Sequence, residues 1–178
     1  LIAYITCGDP DTATTIRAVK ALAEAGADAI ELGIPFSDPI ADGPVIQGAA
    51  QRALSKGTTT DSVFDIARAI RATSEVPLIA FSYLNPILRY GVDRFAENAA
   101  AAGIDSVLIT DLPPESADVI RDTMHFHGLG TIFLLAPTSS NTRVRLIDRA
   151  SDGFVYYVST TGVTGARDFT NAIDTHTR

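Results

Sequence analysis

Six short runs of apolar and β-branched residues, at 1–6, 28–33, 77–83, 106–110, 131–136 and 154–159, recur along the chain with helix-patterned stretches between them. The runs are nearly continuous in apolar character, as expected of strands in a parallel sheet covered on both faces. Residues 12–25 put Ile16, Val19, Leu22 and Ala23 on one helical face and stop at Gly26, a residue type suited to ending a helix. Residues 44–56 open on a proline at a first helical position and are followed by Gly57. Residues 62–72 carry Val63, Ile66, Ala67 and Ile70 on one stripe. Further helices are predicted over 93–102, from the Pro113-Pro114 pair toward His127, over 141–150, and as a short tail at 170–177.

Strand and helix in strict alternation force parallel pairing through right-handed crossovers. Two architectures satisfy that rule, an open doubly wound sheet and a (β/α)8 TIM barrel. The polar residues with chemical potential sit at or just after several strand ends: Glu31 and Asp42, Tyr83 and Asn85, Asp111, and the stretch 160–165. An open sheet gathers its site at one switch point, whereas a barrel draws on many strand ends, so the pattern favours the barrel. Six βα units fall short of eight, and a closed barrel typically takes about 250 residues. The expectation is therefore a single α/β domain over residues 1–178, a TIM barrel truncated at both ends and lacking strands 7 and 8, with Leu1 starting in mid-element.

Charge and composition narrow the partners. The 178 residues carry 14 Lys and Arg against 21 Asp and Glu, a net charge of −7, which argues against a nucleic-acid or anionic-membrane surface. A small anion stays open, because a nest of backbone N–H groups needs no formal charge. The lone cysteine, Cys7, excludes an internal disulfide and reads as a packing residue. No apolar run approaches the roughly 18 residues of a membrane span, and no leader pattern opens the chain, so the expected compartment is the cytoplasm. His125 and His127 point different ways on a helix, and no Cys or carboxylate cluster accompanies them; no metal is expected. Phosphate-binding loops of the P-loop type, nucleophile elbows and dinucleotide fingerprints are absent from the sequence.

The chemistry concentrates in two acids. Alternation along residues 28–33 puts Ala29, Glu31 and Gly33 on one face, which in a barrel points inward among small neighbours. A carboxyl group held there has its acid form favoured by desolvation, as a residue that donates and then accepts a proton requires. A salt-bridged glutamate on the sheet rim is the structural alternative. Asp42, before Gly43-Pro44, reads either as a second catalytic acid or as an ordinary turn or helix-capping aspartate. The stretch 159–165, all hydroxyls and small residues apart from Val163, suits either a closing lid or an idle loop.

Taken in order, these stretches resemble the α subunit of tryptophan synthase. The run from Glu31 to Gln47 is similar to that family's signature at nearly every position, and further matches follow: residues 6–10, Tyr83-Leu84-Asn85-Pro86, Asp111-Leu112-Pro113 and residues 159–165. The resemblance implies a lyase of L-tryptophan biosynthesis that cleaves indole-3-glycerol phosphate to indole and glyceraldehyde 3-phosphate by a retro-aldol reaction. It implies Glu31 as general acid and base and Asp42 as partner of the indole N–H. Tyr4, Ile46, Phe81, Tyr83, Leu108 and Tyr156 would line the substrate site, and Thr164 and Gly165 would belong to the lid. Pro35, Asp38, Asn85 and Pro113 would face a β subunit in an α–β–β–α heterotetramer. Pyridoxal phosphate would belong to that β subunit, so no cofactor is expected on this chain. The family's phosphate-binding loops follow strands 7 and 8, so a polypeptide of these 178 residues alone is expected to be inactive. A stand-alone lyase releasing free indole and a non-catalytic docking module are the rival readings.

Overall fold

The computed structural model describes residues 1–158. The predicted loop at 159–165, with Thr164 and Gly165, and the predicted tail helix at 170–177 lie outside the described residues.

Five strands form one parallel sheet in the order β1-β2-β3-β4-β5: β1 (Ile2–Thr6), β2 (Ala29–Gly33), β3 (Leu78–Ser82), β4 (Ser106–Ile109) and β5 (Gly130–Ile132). Spatial order follows chain order without a reversal, so the sheet has no switch point and curls as the wall of a barrel. The run predicted over 131–136 is divided at Phe133 into β5 and β6 (Leu134–Leu135). Phe133 gives its N–H to Ser151 Oγ at 3.2 Å instead of to a strand. Beyond that point the chain leaves β4 and pairs in parallel with β7 (Tyr156–Tyr157). Asp152 N–H to Thr131 O and Tyr156 N–H to Phe133 O carry the pairing across the break, at 2.7 and 3.1 Å. The described residues thus form six consecutive strands of a (β/α)8 barrel wall.

Two apolar layers flank the wall. Outward-facing Ile30, Leu32, Leu78, Ala80, Val107 and Ile109 share one core with the helices, among them Val19 of α1 (Thr12–Glu24) and Phe64, Ile66 and Ile70 of α3 (Thr60–Arg71). Inward-facing Ala29, Ile79, Phe81, Leu108 and Ile132 form a separate cluster with Tyr4, Leu134, Phe154 and Tyr156. Burying a large apolar side chain is worth about 1.5–3 kcal/mol, so the outer layer, with the larger set of buried side chains, supplies most of the apolar stabilisation. Local signals set the helix starts. Asp11 caps α1 by accepting the Thr14 N–H at 2.7 Å, and Thr59 and Ser62 form a reciprocal capping box at α3.

One helix escaped the sequence pattern. Residues 84–90, to which the sequence pattern assigns no element, form α4 (Leu84–Tyr90), which precedes α5 (Val92–Ala101). Pro86 lies in its first turn, where backbone N–H groups have no intrahelical acceptor and proline is tolerated. Gly91, with φ at 94°, turns the chain between α4 and α5. The remaining helices are α2 (Pro44–Ser55), α6 (Asp118–Phe126), preceded by a 3-10 turn at Pro114–Ser116, and α7 (Asn141–Ala150). Among the described residues no helix is long and apolar enough to cross a membrane.

Candidate active site

Glu31 occupies the middle of β2, in register with Tyr4 on β1 and Ile79 on β3. Strand alternation turns its side chain inward with that cluster, leaving it 3 % exposed. Its Oε1 has no hydrogen-bond partner among the described residues, and none of the ion pairs found there involves it, which removes the rim salt-bridge alternative. Burial pushes its pKa up from 4.5 to about 7, because the charged form has lost its water without gaining a donor. Beside it stand three rings: Tyr4 meets Phe81 edge-on at 5.2 Å, and Phe81 meets Tyr156 at 6.4 Å. Edge-to-face packing of this kind leaves an apolar aromatic wall suited to a flat ring.

Gly33 makes room for that wall. A Cβ added there would lie 2.2 Å from the Tyr4 hydroxyl oxygen, so any larger residue would displace the Tyr4 ring. The Tyr4 phenol is pushed above its ordinary range by burial, with the charges of both Asp42 and Glu31 adding to the effect. Tyr4 therefore stands within electrostatic reach of both acids.

Asp42 reaches the site from the loop after β2. That loop is pinned at its start by the Ile34 N–H on Phe81 O at 2.9 Å, and near its end by the Asp42 N–H on Pro39 O at 3.0 Å. Asp42 is 5 % exposed. Its carboxylate does not cap α2: the capping position is Gly43, which makes no side-chain cap bond. Instead Asp42 Oδ2 accepts the Tyr83 hydroxyl at 3.1 Å. Burial raises the Asp42 pKa, and the Tyr83 bond opposes that rise. Gln47 Nε2 donates to the Asp42 carbonyl at 2.7 Å, fixing the turn into α2.

The other candidates divide. Tyr4, Phe81, Leu108 and Tyr156 gather in the inward cluster with Glu31. Tyr83 is buried at the end of β3, against the Asp42 loop, and Ile46 sits half-buried on the first turn of α2, outside that cluster. Asp38, Asn85 and Pro113 are exposed, whereas Pro35 is buried and offers little surface to a partner. Cys7 is fully buried, with burial pushing its thiol up to about 12, which suits packing and not nucleophilic work. His125 and His127 engage Asp152 and Asp93 separately, and no cluster able to hold a metal ion occurs among the described residues.

Two supporting contacts had no role assigned in the sequence. Gln47 steadies the Asp42 backbone, and Asp111 accepts the Leu84 N–H at 2.7 Å, closing the free start of α4. The Asp111 contact spans 27 positions that only the fold closes, whereas Gln47 acts locally, five positions from Asp42.

Comparison with known proteins gives the family of the chain. The profile of the family described as tryptophan synthase alpha chain matches residues 1–177. The tryptophan synthase alpha chain of Solibacter usitatus is 60 % identical over 172 residues, 97 % of this chain and 64 % of its own length. That of Geobacter sulfurreducens is 53 % identical over 167 residues, 94 % of this chain and 63 % of its own. The chain thus spans less than two thirds of the length of these curated relatives. Among solved structures, Mycobacterium tuberculosis tryptophan synthase superposes with a TM-score of 0.88 at 42 % identity, over 94 % of this chain and 65 % of that one. The a2b2 tryptophan synthase complex of Pyrococcus furiosus does so at 0.86 and 44 % identity, over 90 % of this chain and 68 % of that one. With its strand order, its buried acid pair and a family profile covering nearly every residue all in agreement, this chain belongs to the tryptophan synthase alpha chain family.

Proposed function

We propose that the full-length protein cleaves indole-3-glycerol phosphate to indole and glyceraldehyde 3-phosphate, the α reaction of tryptophan synthase. The observation carrying this reading is Glu31: an interior carboxyl, unpartnered among the described residues, with its pKa near 7, beside an aromatic wall. Such a group is poised to be an acid first and a base afterwards.

In the proposed reaction the protonated Glu31 gives its proton to indole C3, making the ring an electron sink. The hydroxyl on the adjacent glycerol carbon loses its proton to the Glu31 carboxylate as the carbon–carbon bond breaks. The bonding pair returns to the ring, indole is restored, and the glycerol carbon leaves as an aldehyde. One proton is given and one recovered, so no external acid or base is consumed. Asp42 accepts the indole N–H and offsets positive charge on the ring during protonation. Tyr4, Phe81, Leu108 and Tyr156 hold the ring plane, Ile46 and Tyr83 bound it on the Asp42 side, and Thr164 and Gly165 close over it. Asp38, Asn85 and Pro113, with Pro35 behind them, form part of the face toward a β subunit in an α–β–β–α assembly. That assembly is the reading drawn from the complex described for the Pyrococcus furiosus relative. Pyridoxal phosphate chemistry is assigned to that β subunit.

Glu31→Gln in the full-length chain tests the reading. Loss of at least about 10²-fold in indole formation is expected, the usual contribution of a positioned acid–base group. Wild-type turnover from a normally folded variant would overturn it.

A further inference from the structure

Among the described residues the Asp42 carboxylate is held by one side chain, and that side chain is itself held. Tyr83 is 4 % exposed. Its hydroxyl donates to Asp42 Oδ2 at 3.1 Å and accepts the Ala41 N–H at 2.9 Å. A phenol has a single proton to give. With the Ala41 N–H on its acceptor side, that proton is directed at the carboxylate, and the polarised oxygen is a better donor for it. Phe36, from the same loop, packs on the Tyr83 ring at a centroid distance of 5.4 Å. The ring is thus tied to the loop before and after the turn.

We infer that Tyr83 is a positioning residue for Asp42, its hydroxyl fixing the 34–43 loop and orienting the carboxylate toward the barrel interior. The inference rests on the proposed role of Asp42 and gives Tyr83 a task distinct from bounding the substrate ring. Among the described residues the groups around the pair supply no alternative donor. From β1 comes the neutral Tyr4 phenol, from β2 Glu31, and from the end of β4 Asp111, whose charge acts on Tyr83. Among the described residues the Tyr83 proton is the one hydrogen bond that the Asp42 carboxylate accepts. A buried acid without a donor shifts toward its neutral form, and a neutral Asp42 could not offset charge on the ring.

Tyr83→Phe keeps the ring and its contact with Phe36 while deleting the hydroxyl. In the full-length chain, carboxyl-carbon NMR should show the Asp42 titration midpoint rising by about one unit. In the same variant kcat for indole release should fall about tenfold with KM within about twofold, since a transition-state interaction is lost. Phe36→Leu, which removes the stacking but not the hydroxyl, should leave the midpoint within about 0.3 unit. An unmoved midpoint in Tyr83→Phe, or an equal shift in Phe36→Leu, would overturn the inference. A raised midpoint with unchanged turnover would sustain the clamp and instead remove the catalytic reading of Asp42. The unaltered protein gives an independent reading: the Tyr83 ring carbon bearing the hydroxyl should titrate with the Asp42 midpoint, and a flat response there would also overturn the inference.

Discussion

The two ends of the same strands treat carboxylates in opposite ways. At the N-terminal ends, Asp105 and Asp152 are exposed and saturated. Asp105 Oδ2 accepts the Leu78 N–H at 2.8 Å and Arg71 at 2.7 Å. Asp152 Oδ2 accepts the Thr131 N–H at 2.8 Å and hydroxyl at 3.2 Å, and meets His125 at 2.7 Å. Burial works against the Asp152 charge, yet the bonds from Thr131 and His125 outweigh it and hold this carboxyl below its ordinary range. In the interior and at the C-terminal ends, Glu31 and Asp42 are nearly fully buried and share one side-chain hydrogen bond between them among the described residues. Residues of one chemical type therefore do two jobs. The rim acids tie strands to helices through their hydrogen bonds, whereas burial favours the protonated form of the interior Glu31. Burial without partners, more than acidity itself, marks the site.

The contrast can be broken at either end. The largest effect is expected in the interior: Asp42→Asn should lower indole formation by about 10²-fold in the full-length chain, comparable to removing one preorganised charge-stabilising group. A rate within twofold of wild type would return Asp42 to the status of a turn residue. Next comes stability against pH. The folded-state pKa of Glu31 lies above its ordinary value of 4.5, so its contribution is fully present below that value and is lost as pH rises through about 7. Chemical denaturation of wild type and Glu31→Gln from about pH 5 to pH 8 should therefore diverge, with the variant gaining on the order of 2 kcal/mol at the alkaline end. Parallel curves would show that the acid is not desolvated. Asp152, with its pKa lowered, should act in reverse, losing its contribution on acidification. The smallest of these effects sits at the rim. Asp105→Ala strands the Leu78 N–H and one Arg71 contact, and should cost about 1–2 kcal/mol with turnover per folded molecule unchanged. Thermal melts beside activity assays check it, and a loss of turnover would dissolve the division between the two ends.

Much of this division was legible in the chain, for reasons that differ by region. Buried parallel strands must be continuous apolar runs, so β1 to β4 could be located to within a residue or two. The α7 boundaries matched because Ser140 and the residues before Gly153 carry strong end signals. The inward direction of Glu31 followed from a period of two. Legibility failed where tertiary partners override local pattern. The fifth strand divides at Phe133 because the Ser151 hydroxyl takes its N–H, and α4 forms around Pro86 because Asp111 receives the Leu84 N–H. Neither partner is near in sequence. Asp42 shows the same limit: residues 40–44 read as a helix cap, and only Tyr83, forty-one positions away, draws its carboxylate elsewhere. Pro35, placed by resemblance at a partner surface, is buried, next to an Ile34 whose N–H bonds the Phe81 carbonyl of β3.

Glu31 keeps its proton near neutral pH because it is buried and, among the described residues, without a hydrogen-bond partner. Titrating its side-chain carboxyl carbon by NMR in the full-length chain, with Glu31→Gln assigning the resonance, tests this directly. The midpoint is expected at about 7. A midpoint at the ordinary glutamate value of about 4.3 would contradict it.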